Sequence, residues 1–146
     1  FNAQTFYNKW IRDIRGSQIA DGYVPNSAPW QPGSGGGIGW GAAMEIIPWE
    51  FHMHYGDLRV LEENFDAMKR HVRWMLTWVD PETGIMHSKD PQKWKNLGDW
   101  LPPRELPRGE LVHTFLLWNS ADIVARTAER RRLPFSKSET AAMTCS

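Results

Sequence analysis

Asp21, Glu45, Glu50, Asp99 and Glu110 are the carboxylates placed where they could act on a substrate. Cleaving a glycosidic bond needs two such groups flanking it, one as acid and one as base or nucleophile. Asp99 is the best placed. It lies in Asn96-Leu97-Gly98-Asp99-Trp100-Leu101, an acid beside an aromatic in a loop. A carboxylate there could hold sugar hydroxyls while the indole covers the apolar face of the ring. The plainer role for Asp99 is a turn residue bonding its own backbone. Glu45 and Glu50 fall on a helix that is apolar almost all round, so each must find a partner. A structural ion pair accounts for them as well as catalysis does. Glu110 opens a helix, where the dipole favours an acid.

Tryptophan is the unusual residue, with nine in 146. Trp30, Trp40, Trp94 and Trp100 fall in loops or at helix starts, where they could serve as stacking platforms. Trp10, Trp74, Trp78 and Trp118 fall inside helical patterns and are expected in the core. The histidines offer no metal site. His52 and His54 are two apart and do not share a helix face, and His71, His87 and His113 are scattered. Gly33-Ser34-Gly35-Gly36-Gly37 is no phosphate cradle, because neither a preceding strand nor a following Gly-Lys-Ser/Thr is present. It reads as a loop bending sharply beside a cavity. The single cysteine, Cys145, excludes an internal disulfide and a cysteine metal cluster.

Seventeen basic and seventeen acidic side chains cancel. No strong field exists to recruit nucleic acid or an anionic membrane. Arg130–Arg132 suits a helix C-terminus, which favours cations. No apolar run is long enough to span a bilayer. The sequence starts at Phe1 with no signal-peptide pattern, which fits a fragment, a processed form or a trimmed chain. Cytoplasm, periplasm and secretion are all compatible with it, and the oligomeric state is open.

These groups are positioned by helices. Phe6, Trp10, Ile11 and Ile14 form a stripe that predicts a helix over 6–19. Periodicity then vanishes over 20–39, a loop with Pro25, Pro29 and Pro32. A helix over 40–55, apolar on all sides and interrupted by Pro48, is expected in an inner layer. Gly56 and Asp57 supply a C-terminal turn and the next N-cap. Leu61, Phe65, Met68, Val72, Met75 and Val79 predict an amphipathic outer helix over 57–79. Residues 82–107 form a second excursion, with a short strand pair expected between 85–87 and 94–97. A long helix follows over 109–132, and Ser136-x-x-Glu139 resembles a capping box. Inner and outer helices joined by long loops describe an all-α toroid whose loops gather at one mouth. A four-helix bundle rarely needs two loops of about 20 residues.

The ordered motifs carry a resemblance. Phe6-Tyr7-x-Lys9-Trp10-Ile11-Arg12-Asp13-Ile14-Arg15, Asp21-Gly22-x-Val24-Pro25, Gly39-Trp40-Gly41, Ile47-Pro48-Trp49-Glu50, Tyr55-Gly56-Asp57-x-Arg59-Val60-Leu61-Glu62-Glu63-Asn64 and Gly98-Asp99-Trp100-Leu101 together resemble the catalytic domain of bacterial α-L-rhamnosidases, from about Phe1 to Glu129. The resemblance implies part of an (α/α)6 barrel, one partial catalytic domain over 1–146. It implies hydrolysis of terminal α-L-rhamnosyl groups of rhamnose-containing glycosides with inversion, and no organic cofactor. Trp40, Asp99 and Trp100 match positions that line the sugar pocket. The general acid belongs to a motif upstream of this region and the base to a later hairpin, so both are expected outside the chain. One departure stands out. Relatives carry an Asp after the Trp-Gly, where this sequence has Ala42. Residues 130–146 match no family motif and are expected as an irregular tail. The alternatives are a non-catalytic helical carbohydrate-binding module, a purely structural helical domain, or a glycosidase of the same barrel class acting on another sugar.

Overall fold

The computed structural model describes residues 2–29, 38–87 and 109–132. Its helices are α1 (Gln4–Ser17), α2 (Ile38–Gly41), α3 (Ala43–Tyr55), α4 (Arg59–Leu76) and α5 (Gly109–Arg132). Asn2 starts α1, its Oδ1 accepting from the Gln4 amide at 3.1 Å. Ile11 and Ile14 turn inward, whereas Phe6 and Trp10 remain exposed. The helix ends at Ser17, two residues before the expected limit. There Gln18 leaves the helix, and its Nε2 donates to the carbonyls of Gly22 and Ala67, tying the loop to α4.

The inner helix begins in two steps. Ile38–Gly41 form one turn, Ala42 follows, and α3 continues. The Ala42 amide donates to Ile38 O at 2.8 Å, and the Ile46 amide to Ala42 O at 3.0 Å, so the path is nearly continuous. Pro48 is buried inside α3, as its position in the sequence implied. Gly56 adopts φ +67°, the left-handed position expected after the helix, and its amide donates to His52 O at 2.8 Å. Asp57 Oδ1 accepts from the Arg59 amide at 3.0 Å just ahead of α4, but the N-cap position falls on Leu58, one residue after the expected Asp57, with no side-chain cap bond. The α3–α4 hairpin anticipated at Gly56-Asp57 is therefore present.

Helix α4 buries the stripe that its periodicity marks and leaves its charged face outside. Leu61, Met68 and Met75 are among its fully buried residues. It stops at Leu76 rather than Val79, where the Thr77 hydroxyl donates to Trp74 O at 2.7 Å. Helix α3 packs against α1, α4 and α5, and α4 packs against α5. One core lies between α1, α3 and α4, and a second between α4 and α5.

The strand pair expected between 85–87 and 94–97 is described only on its first side, and one expectation is corrected. The segment around Met86 pairs with Val79 in an isolated antiparallel bridge. The His87 amide donates to Trp78 O at 3.0 Å, and the Asp80 amide to Ile85 O at 2.9 Å. The turn Asp80–Gly84 is tight enough to bring the near strand back first; residues 94–97, the expected partner, lie outside the described residues. Trp118 is 64% exposed rather than in the core, and Trp10 is 36% exposed. Helix α5 is apolar on more than one side, and the side carrying Trp118 has no neighbour among the described residues. Helix α5 ends at Arg132, the limit expected from the sequence. The Ser136 capping box lies outside the described residues.

Candidate functional site

Gly41 and Glu45 are four residues apart on a nearly continuous helical path, so both face α4. His71 meets them there, on the buried stripe of α4. Its Nδ1 lies 3.0 Å from Glu45 Oε1 and 3.1 Å from Oε2. A carboxylate only accepts, so Nδ1 carries a proton and donates. From α5, the Ser120 hydroxyl donates to Glu45 Oε2 at 3.1 Å. Glu45, His71 and Ser120 are all fully buried. The His71 ring stacks on Trp74 with centroids 5.9 Å apart and planes 9° from parallel. Its Nε2 edge has no hydrogen-bond partner and faces Gly41. A Cβ on residue 41 would stand 3.0 Å from Nε2 and 3.0 Å from the Val24 carbonyl oxygen, tight enough that the ring or the carbonyl would have to give by a few tenths of an ångström.

Serine, histidine and glutamate in contact suggest a nucleophilic relay, but the connectivity is wrong for one. A base must touch the hydroxyl that it activates. Ser120 bonds the carboxylate instead of the imidazole, and no solvent reaches it. The cluster is a tie between three helices. Glu45 thus takes the structural alternative open to it from sequence.

Trp40 stands on the opposite side of this first turn. It is 59% exposed, and water-exposed indole is a poor use of tryptophan unless it meets a partner. It borders a cleft of about 310 Å³ lined by Trp10, Asn26, Ala43 and Ile47, among others. Asn26 Oδ1 is buried there without a hydrogen-bond partner. The walls are therefore aromatic and aliphatic with one free acceptor. Ala42 is fully buried, so a methyl closes this corner.

Asp99 and Trp100 lie outside the described residues, so the structure brings neither of them to Trp40. Asp21 is a turn residue, its Oδ1 accepting from the Tyr23 amide at 2.9 Å. Glu50 is exposed and lies 3.7 Å from His54 Nδ1, one turn along α3. Glu110 lines a separate cleft with Ile85, His87, Leu111 and Thr114. Among the described residues no group of three His, Cys, Asp or Glu is arranged to hold a metal ion.

A cleft beside Gly56 holds two carboxylates, Asp57 and Glu62, which sequence reasoning did not pair. Asp57 is already engaged. Arg59 donates to Oδ1 from Nε at 3.0 Å and to Oδ2 from its terminal nitrogen at 2.8 Å. The Arg59 hydrogen bond holds the Asp57 carboxyl below its ordinary range, against the opposing effect of burial. A group so favoured in its charged form is a poor general acid. Sequence reasoning missed His71 as the partner of Glu45; the signal it carried was a polar side chain at an apolar-face position of α4, which marks a group that needs a partner without saying which.

Residues 1–139 match the family described as the bacterial alpha-L-rhamnosidase 6 hairpin glycosidase domain. An α-L-rhamnosidase of Streptomyces avermitilis is 31% identical over 124 residues, covering 84% of this chain and 11% of that protein. One from Formosa agariphila is 33% identical over 140 residues, covering 88% of this chain and 14% of that protein. The crystal structure of the Streptomyces avermitilis α-L-rhamnosidase complexed with L-rhamnose superposes with a TM-score of 0.74 and 28% identity, over 88% of this chain and 12% of that one. The structure of the α-L-rhamnosidase from Dictyoglumus thermophilum gives a TM-score of 0.74 at 27% identity, over 88% of this chain and 14% of that one. The chain thus spans a small part of the length of these relatives. The family match runs to residue 139, beyond the Glu129 at which the motif resemblance stops.

Proposed function

Because this chain belongs to the bacterial α-L-rhamnosidase family, within its six-hairpin glycosidase domain, we propose that it forms part of an enzyme that hydrolyses terminal α-L-rhamnosides with inversion. The observation that carries this is the family match over residues 1–139, which two rhamnosidase structures support at TM-score 0.74. In this reading Trp40 is a wall of the sugar pocket, stacking on an apolar ring face. Asp99 and Trp100 supply a second contact, the acid to hydroxyls and the indole to the ring. The substrate is a rhamnose-containing glycoside, and no organic cofactor takes part.

The general acid and base come from other parts of the longer polypeptide. Supporting this, Glu45 is consumed by His71 and Ser120, and Asp57 by Arg59. An inverting pair must leave room for a water between its carboxyl groups, about 6.5–9.5 Å. Groups already bonded to cations or buried in the core do not serve.

The test assays the complete protein and the 146-residue chain on an aryl α-L-rhamnoside. The complete protein is expected to turn over and to release the β-anomer first, read by proton NMR. The chain alone is expected to be inert. Turnover by the chain alone, lost on Asp99→Asn, would place the chemistry inside these residues. A complete protein inert on rhamnosides but active on another aryl glycoside would keep the barrel class and change the sugar.

A further inference from the structure

We propose that His71, clamped by Glu45, is a positioning residue that sets Trp40 at the sugar site. This rests on the reading of Trp40 as a pocket wall. The two sides of one helical turn carry the argument. Trp40 projects to solvent from α2, and its neighbour Gly41 rests so close to the His71 ring that a Cβ there would come within 3.0 Å of Nε2. The backbone of the Trp40 turn therefore sits where the imidazole edge lets it sit. The ring itself has little freedom. Glu45 takes its Nδ1 proton with both oxygens, and Trp74 covers one face. Glu45 is fixed in turn by Ser120 from α5. The Val24 carbonyl crowds the same Cβ position at 3.0 Å, so a shift of the ring changes the room the turn has beside it. A single buried contact thus transmits the packing of α3, α4 and α5 to one exposed indole.

A merely structural pair would affect stability and leave substrate affinity alone, so the test reads both. In the complete enzyme, Trp40→Ala, His71→Asn and the double variant are compared by KM and kcat on an aryl α-L-rhamnoside and by Tm. Asparagine keeps a donor near the Nδ1 position for Glu45 but withdraws the ring edge from Gly41. Trp40→Ala is expected to raise KM about tenfold with a smaller change in kcat, as loss of a stacking contact would. His71→Asn is expected to raise KM several-fold, and the double variant to be no worse than Trp40→Ala alone, since coupled residues are not additive. Gly41→Ala is the second probe and leaves the Glu45 contact in place. It is expected to raise KM, and adding His71→Asn should recover part of the loss by making room for the Cβ.

The outcomes separate cleanly. If Trp40→Ala leaves KM unchanged, Trp40 is no pocket wall, and the positioning role falls with it. If Trp40→Ala raises KM but Gly41→Ala and His71→Asn do not, the wall stands and the proposal is overturned. It is equally overturned if the two losses multiply in the Trp40–His71 double variant. Should His71→Asn fail to fold, the Gly41→Ala result decides alone.

Discussion

Glu45 on α3 and His71 on α4 face each other across the core, with both carboxylate oxygens within 3.1 Å of His71 Nδ1 and no solvent reaching either side chain. Few arrangements oblige a protein more. Each group would be costly to bury alone, and each satisfies the other only at this helix spacing. Ser120 extends the obligation to α5. The three helices are thereby held in one register by polar atoms inside a largely apolar core.

Removing one partner should be far worse than removing both. Glu45→Ala leaves the His71 donor buried without an acceptor, and a loss of about 3–5 kcal/mol is expected. Glu45→Gln keeps one acceptor oxygen and should cost less. The double variant Glu45→Leu/His71→Leu should fall well short of the sum of its single changes, because no polar orphan remains. Urea unfolding of the complete protein measures all of these. Additive losses would show that the pair contributes no mutual stabilisation.

Helix α5 turns its sides in an unusual sense. His113, Ser120 and Thr127 are fully buried at seven-residue spacing, whereas Leu111, Phe115 and Trp118 are exposed. These polar residues are buried beside Leu117 and Ile123, and the apolar strip left outside is stable only if something covers it. The chain covers 11–14% of its relatives' length, and the remainder of the six-hairpin domain is the natural cover. The isolated chain should therefore bind a hydrophobic dye such as ANS and self-associate. Phe115→Glu/Trp118→Glu should reduce both effects in the isolated chain and, in the complete protein, lower the unfolding midpoint. Dye binding that these substitutions leave unchanged would locate the sticky surface elsewhere.

Asp80 gives a pH-dependent prediction. Its Oδ1 accepts from the amides of Glu82 and Thr83 at 2.8 and 3.0 Å. The Thr83 amide, then the Glu82 amide, hold its carboxyl below the ordinary value of 3.8. A carboxylate with a depressed folded pKa stabilises the fold above its unfolded pKa and loses that contribution as pH falls through the folded one. Asp80→Ala should therefore lower Tm at pH 7, with the gap to the native chain closing only below about pH 3.8. A gap that stays constant from pH 7 to pH 2 would mean that the charge on Asp80 is not what the turn uses.

What the sequence revealed depended on whether the cause was local. The α3–α4 hairpin was legible because Gly56 and Asp57 each have a specific backbone role. The α4 stripe was legible because its periodicity reflects burial directly. Glu45 was legible only as a group in need of a partner. Its partner came from 26 residues away and a second bond from 75, separations that no spacing rule spans. Trp118 misled for a related reason. Apolar periodicity shows which faces want burial but not which neighbour supplies it, and that neighbour is not among the described helices. In the candidate site, Trp40 was placed correctly at a helix start, on grounds of motif rather than periodicity. The support beneath it, His71 against Gly41, needed three dimensions to find.

The tryptophans offer the sharpest contrast between core and pocket. Trp78 is half-buried, with its ring 5.8 Å from that of Trp74 and packed on the second core. Truncating it removes apolar contact, so Trp78→Ala should destabilise the complete enzyme by about 2 kcal/mol while leaving KM nearly unchanged. Trp100, which follows Asp99 in the sequence and is proposed above to contact the sugar, should behave in the opposite way. Trp100→Ala is expected to raise KM for an aryl α-L-rhamnoside by about tenfold with little change in Tm, because a stacking platform acts on the ligand and not on the core. Measuring KM and Tm for both variants separates the two roles. Equal KM for both would remove Trp100 from the pocket, since nothing but contact with the sugar distinguishes the two indoles in this assay.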